Sequence, residues 1–122
     1  MANKKQIGVW MDTQQATIVG RLEEGGNIEM LGVVNGEANS SNSSEKTGNN
    51  QEKTLQVKYF KEIATYLQNA TLVHVTGTGQ AQEQFIHYLE DTPQFKNLAT
   101  AECTSNKMSD ERLIEFMADK LN

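Results

Sequence analysis

Apolar and polar residues alternate through the first third of the chain in three short segments. These segments cover residues 6–12, 16–22 and 28–34, and a period of two is typical of strands that lay one face on a core. Residues 13–15 are polar, and residues 24–27 suit a tight turn because Gly and Asn tolerate positive φ. Connections this short predict a three-stranded antiparallel meander. The side chains predicted to share the core-facing side of the first two strands are Ile7, Val9, Met11, Ala16, Ile18 and Leu22, with Trp10 on the opposite side.

The rest of the chain changes to helical spacing. Apolar residues recur every three or four positions over residues 53–69 and again over 80–91, which predicts two amphipathic helices. Residues 72–76 predict a strand buried on both faces, and residues 97–103 predict a weaker last strand. Ser109, followed by two acidic residues, predicts the start of a third helix. The apolar side chains predicted to face the core from the helices are Leu55, Tyr59, Phe60, Ile63, Tyr66, Leu67, Ala81, Phe85, Leu89, Leu113, Phe116, Met117 and Leu121.

The order of the predicted elements is β-β-β-α-β-α-β-α. Because crossover connections are right-handed, the fourth and fifth strands are expected to run parallel to the first. Three antiparallel strands followed by two parallel crossover strands form the ribonuclease H-like arrangement, an α/β fold with helices packed on a mixed sheet. A length of 122 residues fits one domain of this kind, spanning residues 1–122.

Residues 35–52 interrupt both patterns, because they contain no large apolar side chain. A segment of this composition cannot offset the entropy lost on ordering, so we predict a flexible polar loop within the domain. Loops longer than about 12–15 residues are uncommon in compact domains and are often functional.

Charge, apolar content and cysteine count limit the partners and the cellular compartment that we expect. The formal net charge of −5 argues against non-specific binding of nucleic acid over the whole surface, although it is compatible with a local basic patch. No apolar run approaches the roughly 20 residues that span a bilayer. Residues 1–5 lead directly into the first predicted strand, so we expect a cytoplasmic protein without membrane contact. Cys103 is the single cysteine and forms no internal disulfide, which fits a reducing compartment.

Asp12, at the end of the first strand, is the carboxylate best placed for metal chemistry. A ribonuclease H-like nuclease needs several clustered carboxylates around two metal ions, and Glu62 on the first helix is a candidate second ligand. The fourth strand, however, offers no acid. The alternative is structural, since an Asp before a polar turn commonly caps its own backbone.

Gly77, Thr78, Gly79 and Gln80 lie between the fourth strand and the second helix. Backbone N–H groups at a helix start can hold an anion, and α/β proteins bind ligands at the carboxyl ends of strands. The segment lacks a complete dinucleotide-binding or P-loop fingerprint, because the sixth position is Gln82 and no Gly-Lys-Ser/Thr follows. A glycine-rich turn with a structural role is the alternative.

The remaining candidates are weaker. Two separated histidines, His74 and His87, with one cysteine do not form a zinc pattern, and no cofactor is predicted. We expect His74 in the core or at a sheet edge, His87 in solvent, and Cys103 without a paired base. The predicted basic face of the first helix, either solvated or in contact with RNA, is formed by Lys53, Lys58 and Lys61.

Two segments resemble a known family. Residues 7–19 resemble the opening of the central domain of the archaeo-eukaryotic peptide-chain release factors and Pelota, where a strand ending in Asp turns into a second strand that begins at a small residue. They look closer still to small bacterial proteins related to that family. Residues 72–79, followed by Phe85, Leu89 and Phe95-Lys96, resemble the strand, glycine turn, helix and leucine loop of the same domain. The resemblance covers nearly the whole chain and implies the fold predicted above.

In the release factors, the segment equivalent to residues 35–52 carries a Gly-Gly-Gln tripeptide whose Gln helps water attack the peptidyl-tRNA ester. This chain has Gly48-Asn49-Asn50-Gln51, with two Asn residues in place of the glycines if Gln51 is aligned. Asn visits positive φ far less freely than Gly, which argues against transferring the hydrolytic activity. Pelota keeps the domain without the tripeptide, so the resemblance is compatible with a protein that is not an enzyme.

Three functional hypotheses follow. The first is a non-catalytic accessory protein of translation or the ribosome that contacts RNA or protein through the 35–52 loop and the 77–80 turn. The second is a metal-dependent nuclease or hydrolase that uses Asp12. The third is a protein-interaction or oligomerisation module unrelated to translation.

Overall fold

The structure is a computed structural model that describes residues 5–22, 26–36 and 49–121, with side chains from residue 57 onward in the last range. The strands are β1 (Lys5–Met11), β2 (Gln15–Arg21), β3 (Glu29–Asn35), β4 (Ala70–Gly77) and β5 (Ala99–Thr104). The helices are α1 (Asn49–Ala64), α2 (Gln80–Glu90) and α3 (Asp110–Lys120), and short 3₁₀ turns cover Thr65–Leu67 and Pro93–Phe95.

The five strands form one mixed sheet in the order β3-β2-β1-β4-β5. β1 and β2 are antiparallel, as are β2 and β3, whereas β4 runs parallel to β1 and β5 runs parallel to β4. Val9 in the central strand lies opposite Ile18 on one side and Val75 on the other. This topology confirms the predicted meander with two parallel crossovers, and therefore the ribonuclease H-like α/β arrangement.

The face of the sheet covered by α1 and α2, called here the α1/α2 face, carries the larger part of the core. Alternation along β1 and β4 places the apolar side chains predicted for this face against the two helices. The aromatic rings of Phe60 and Phe85 meet edge to face, with centroids 5.3 Å apart. The buried strand residues of this face are Ile7, Val9, Met11, Ala16, Ile18, Val34, Val73 and Val75.

The opposite face, called the α3 face, carries a smaller cluster. Trp10 and Val19 pack there against Leu113, Met117 and Leu121. Trp10 therefore lies opposite the other apolar residues of β1, as its position in the alternation predicts. The Ser109 hydroxyl accepts a hydrogen bond from the Arg112 backbone N–H at 3.3 Å, which confirms Ser109 as the N-cap of α3.

Four predicted boundaries were wrong, at both ends of α1 and at the ends of β2 and β3. α1 begins at Asn49 rather than at residue 53 and ends at Ala64, and Asn35 belongs to β3, so both ends of the predicted 35–52 loop lie in regular structure. A polar first turn carries no apolar signature, although Gln and Glu are good helix formers. The prediction of flexibility for residues 37–48 lies outside the described residues. Leu22 was predicted inward, but β2 pairing ends at Arg21 and the Leu22 side chain is 59% exposed.

Within the described ranges, no helix combines the length and the apolar character that crossing a membrane requires.

Candidate functional site

The ends of the parallel strands meet at one edge of the sheet. Asp12 follows β1, residues 77–80 follow β4, and Ser105 follows β5. Met11 pairs with Gly77, and Gly77 pairs in turn with Thr104. The Ser105 backbone N–H also donates to the Gly77 carbonyl oxygen at 2.8 Å. Ligands of open α/β sheets bind outside the carboxyl ends of the strands, so this edge is the first candidate for a functional surface.

The end of β3 lies at the same edge, because antiparallel pairing sets Asn35 opposite Gln15. The Gly36 backbone N–H donates to the Gln14 carbonyl oxygen at 2.7 Å, which fixes the chain as it leaves β3. Residues 12–15, 35–36, 77–80 and 104–107 together are called the carboxyl edge. Gly36 therefore lies beside Thr13 and Gln14 of the turn after β1.

Asp12 is engaged in its own turn. Its Oδ1 accepts hydrogen bonds from the backbone N–H groups of Gln14 and Gln15, both at 2.8 Å. Its own backbone N–H donates to the Gln15 carbonyl oxygen at 3.0 Å. The Tyr59 hydroxyl donates to the Asp12 carbonyl oxygen at 2.8 Å. Burial and the Asp12 charge raise the pKa of Tyr59, which keeps this hydroxyl a proton donor. The geometry is that of a structural turn cap, one of the two interpretations of Asp12 from the sequence.

Glu62 does not assemble a carboxylate cluster with Asp12. It is exposed and lines a shallow groove with Val34, Asn35 and Tyr66. The described residues contain no group of three or more His, Cys, Asp and Glu side chains placed to hold a metal ion.

The 77–80 turn is shaped by close backbone contact on one side and open space on the other. A Cβ on Gly77 would collide with the Met11 carbonyl oxygen, so β1 and β4 approach this closely because the residue is glycine. Gly79 has a φ of 138°, which favours glycine, and no heavy atom lies within 4 Å of the place a Cβ would occupy. Thr78 and Gln80 are exposed. The turn therefore presents backbone and short polar groups to solvent.

The Gln82 side chain connects this turn to β5 by hydrogen bonds, a role that the sequence did not predict. Its side chain is fully buried, with 0% exposure. Its Oε1 accepts from the Gly79 backbone N–H at 2.8 Å, and its Nε2 donates to the Cys103 carbonyl oxygen at 3.1 Å. The sequence signal for this role is a polar residue beside Ala81 on the inward face of α2.

Lys107 adds a cation to the carboxyl edge and was also missed. Its Nζ donates to Gln15 Oε1 at 3.0 Å, and Gln15 Nε2 donates to Asn35 Oδ1 at 3.4 Å. The same Nζ lies 6.0 Å from the centroid of the Trp10 ring. These contacts join the loop after β5 to the ends of β2 and β3.

The predicted basic face lies on α1. Lys58 and Lys61 are exposed, and Lys53 lies on the same helix with its side chain outside the described part. Gln51 is in the first turn of α1 rather than in a loop, and Gly48 lies outside the described residues. Their proposed roles in binding stay predictions.

A chain of polar side chains, called the thiol network, crosses β4 and β5 on the α3 face. His74 Nε2 lies 3.2 Å from Cys103 Sγ, and the Cys103 thiol donates to Thr76 Oγ1 at 3.3 Å. Thr76 Oγ1 lies 2.7 Å from Ser105 Oγ. The expectation that Cys103 has no paired base was wrong, because the β4–β5 register brings it beside His74. His74 is 8% exposed, which confirms its core position, whereas His87 is exposed near Glu90.

Comparison with known proteins gives matches in structure alone. No protein-family model matches the sequence, and no curated protein matches it. The Pelota protein of Thermoplasma acidophilum superposes with a TM-score of 0.64 at 20% identity, over 95% of this chain and 32% of that chain. Pelota of Archaeoglobus fulgidus gives 0.62 at 15% identity, over 98% and 32%. The archaeal translation termination factor aRF1 gives 0.52 at 16% identity, over 96% and 39%.

The chain spans about a third of the length of the two Pelota chains. At these identities the likeness establishes a common fold, which confirms the resemblance carried by residues 7–19 and 72–79 at the level of structure. The protein has the fold of a domain-sized part of Pelota and of an archaeal release factor.

Proposed function

We propose that the protein is a non-catalytic accessory protein of translation that contacts RNA or protein of the ribosome through the carboxyl edge. The observation that carries the proposal is the fold, shared over 95–98% of this chain with two Pelota proteins and a translation termination factor. The shared part is 32–39% of each relative's chain, so it does not carry the function of the whole relatives.

The carboxyl edge supplies a surface suited to phosphate and to backbone contacts. The positive end of the α2 dipole lies at Gln80, and the Lys107 ammonium group lies at the same edge. Gly79 leaves room for close approach of a partner's backbone. Asn35 and Gly36, which begin the predicted 35–52 contact region, lie at the same edge as the 77–80 turn. A local cation and helix dipole also reconcile RNA contact with a net charge of −5.

The position of Gln51 supports the non-catalytic part of the proposal. In the alignment with the release-factor tripeptide, Asn49, Asn50 and Gln51 correspond to Gly-Gly-Gln, and here all three belong to the first turn of α1. Helical backbone at these residues differs from the glycine-rich loop that the tripeptide requires.

Co-sedimentation of the full chain with ribosomes, at low salt and across growth states, tests the proposal. We expect the wild-type protein in ribosomal fractions and a loss of several-fold with Gln80→Glu, which opposes phosphate at the carboxyl edge. Gln94→Glu is the matched control, because Gln94 is exposed on the 3₁₀ turn before β5, at the opposite edge. Lys107→Gln is expected to reduce the slope of log affinity against log salt by about 1.

Absence of the wild-type protein from every ribosomal fraction would overturn the proposal. Equal losses of ribosome binding with Gln80→Glu and Gln94→Glu would show that the protein binds the ribosome but not through the carboxyl edge. A concentration-dependent dimer that binds no ribosome would favour an oligomerisation module instead.

A further inference from the structure

The thiol network is a second chemically distinct feature, and the proposed function makes no use of it. Cys103 lies on the edge strand β5, and the residue is partly exposed. His74 lies on the neighbouring strand and is buried. Their side chains meet with Sγ and Nε2 separated by 3.2 Å. A nucleophile and a base within hydrogen-bond reach, with the base held in place, form the signature of an activated nucleophile.

The surroundings of His74 hold the imidazole ready to accept a proton. The edge of the Phe116 ring packs against it, with centroids 6.4 Å apart. Burial first, and then the Lys120 charge, lower the pKa of His74, so the ring is neutral near pH 7. In the structure the thiol donates to Thr76 Oγ1. Rotation about the Cβ–Sγ bond turns the thiol hydrogen to Nε2 of the neutral imidazole, 3.2 Å away, which can take the proton when the sulfur attacks.

The Thr76 hydroxyl also contacts the pair, 3.3 Å from Cys103 Sγ, and the residues opposite His74 on the neighbouring strands are small. In β1 the residue opposite His74 is Gly8, which has no side chain. In β5 the residue opposite His74 is Ala101, two positions from Cys103 and on the same face. From α3, Lys120 brings a positive charge, with its Nζ 5.4 Å from the Phe116 ring centroid. Small neighbours and a nearby cation favour a small anionic reagent.

We propose that Cys103 is a modification site whose thiol exchanges with small anionic disulfides, with His74 as the base. His74 Nε2 accepts the thiol proton while Sγ attacks one sulfur of a disulfide RS–SR. The new Sγ–S bond forms as the RS–SR bond breaks, and the departing thiolate takes the proton from the imidazolium. The products are a mixed disulfide at Cys103 and one RSH, which gives its proton to solvent when the thiol is as acidic as a nitrobenzoate thiol, and the disulfide reagent is the oxidant.

Cys103 is the single cysteine, so every thiol reaction of the full chain is a reaction of Cys103. The probes are dithiobis(nitrobenzoate), whose released thiolate is coloured, and oxidised glutathione, detected by intact mass. An unactivated thiol is only a few per cent thiolate at pH 7, so loss of the base is expected to lower the rate about tenfold in His74→Gln. His87→Gln, which changes the exposed histidine, is the matched control and is expected to react like the wild type. Cys103→Ser is expected not to react.

The pH dependence of the reaction rate shows whether His74 acts as a base or only packs against Cys103. The folded wild-type protein is expected to show a rate that rises much less than tenfold per pH unit between about pH 7 and 8, because the imidazole is predominantly neutral there. The His74→Gln variant and the guanidinium-unfolded wild type are expected to rise about tenfold per pH unit, as ordinary thiols do.

Equal rates for wild type and His74→Gln would overturn the proposal, as would a folded wild-type rate that rises in parallel with the unfolded chain. The second measurement needs no variant, so it decides the question even if His74→Gln does not fold. Neither readout depends on ribosome binding.

Discussion

The two faces of the sheet are built from the same strands yet have different chemistry. Along β4, Val73 and Val75 enter the apolar core of the α1/α2 face, whereas His74 and Thr76 point to the α3 face. Along β1, the apolar set faces α1 and α2, and Trp10 faces α3. Alternation along a single strand, β4, thus places apolar side chains on the α1/α2 face and polar side chains on the α3 face.

The difference follows from how the helices cover the sheet. α1 and α2 bury one face beneath aromatic side chains such as Phe60 and Phe85. α3 packs on β2 and β3, and the partly buried Phe116 ring lies edge-on to His74, with centroids 6.4 Å apart. Partial cover over β4 and β5 lets polar side chains stay hydrogen-bonded at low cost. We infer that stability resides mainly on the α1/α2 face and side-chain chemistry mainly on the α3 face.

The strongest test of this division removes one aromatic ring from each face. Phe85 is fully buried, and Phe85→Ala is expected to lower the free energy of unfolding by about 3–5 kcal/mol. Phe116 is only partly buried, and Phe116→Ala is expected to cost about 1–2 kcal/mol. Urea unfolding followed by circular dichroism measures both. Equal costs would show that the α3 face contributes as much stability as the α1/α2 face.

The second test concerns the carboxyl edge, where the two faces meet. Gly77→Ala would drive its Cβ against the Met11 carbonyl oxygen and separate β1 from β4, so we expect a loss of about 3 kcal/mol. Thr78→Ala, at the exposed neighbour, is expected to change the free energy of unfolding by less than about 0.5 kcal/mol. If Gly77→Ala were as mild as Thr78→Ala, the close approach of β1 and β4 would not be needed for stability.

A third test cuts the connection that Gln82 makes from α2 to β5. Gln82→Met keeps the length of the side chain but leaves the Gly79 N–H and the Cys103 carbonyl without this partner. We expect a loss of about 1–2 kcal/mol, together with faster hydrogen exchange at the Gly79 amide. Gln94→Met, on an exposed turn, serves as control and is expected to be nearly neutral. Unchanged exchange at Gly79 would mean that the turn is ordered without Gln82.

Local patterns predicted the features that depend on a few neighbouring residues. Alternation separated Val9 from Trp10, and the Ser109 cap marked the start of α3, because both are set within one element. Short polar connections predicted the meander, and the order of elements then restricted the topology to a recognisable fold.

Features that depend on register between distant segments were not predicted. Cys103 meets His74 across 29 residues, and Gln82 meets Cys103 across 21. Neither pair follows from spacing along the chain, since a shift of one residue in the β4–β5 pairing would turn Cys103 to the other face. Lys107 was missed for the same reason, because its partner Gln15 lies on β2.

The smallest expected effect is a pH dependence that arises on the α3 face. Burial and Lys120 hold the pKa of His74 below its ordinary value of 6.5, so the unfolded chain takes up the proton first as the pH falls. The contribution of His74 to stability is therefore fully present above about pH 7.5 and is lost as the pH falls through 6.5 towards the folded pKa. A single proton sets the slope at no more than about 1.4 kcal/mol per pH unit. Urea unfolding between pH 7.5 and 5.5 measures it, and we expect a flatter profile for His74→Gln than for wild type or His87→Gln. Parallel profiles for all three proteins would show that the His74 pKa does not differ between the folded and unfolded chain.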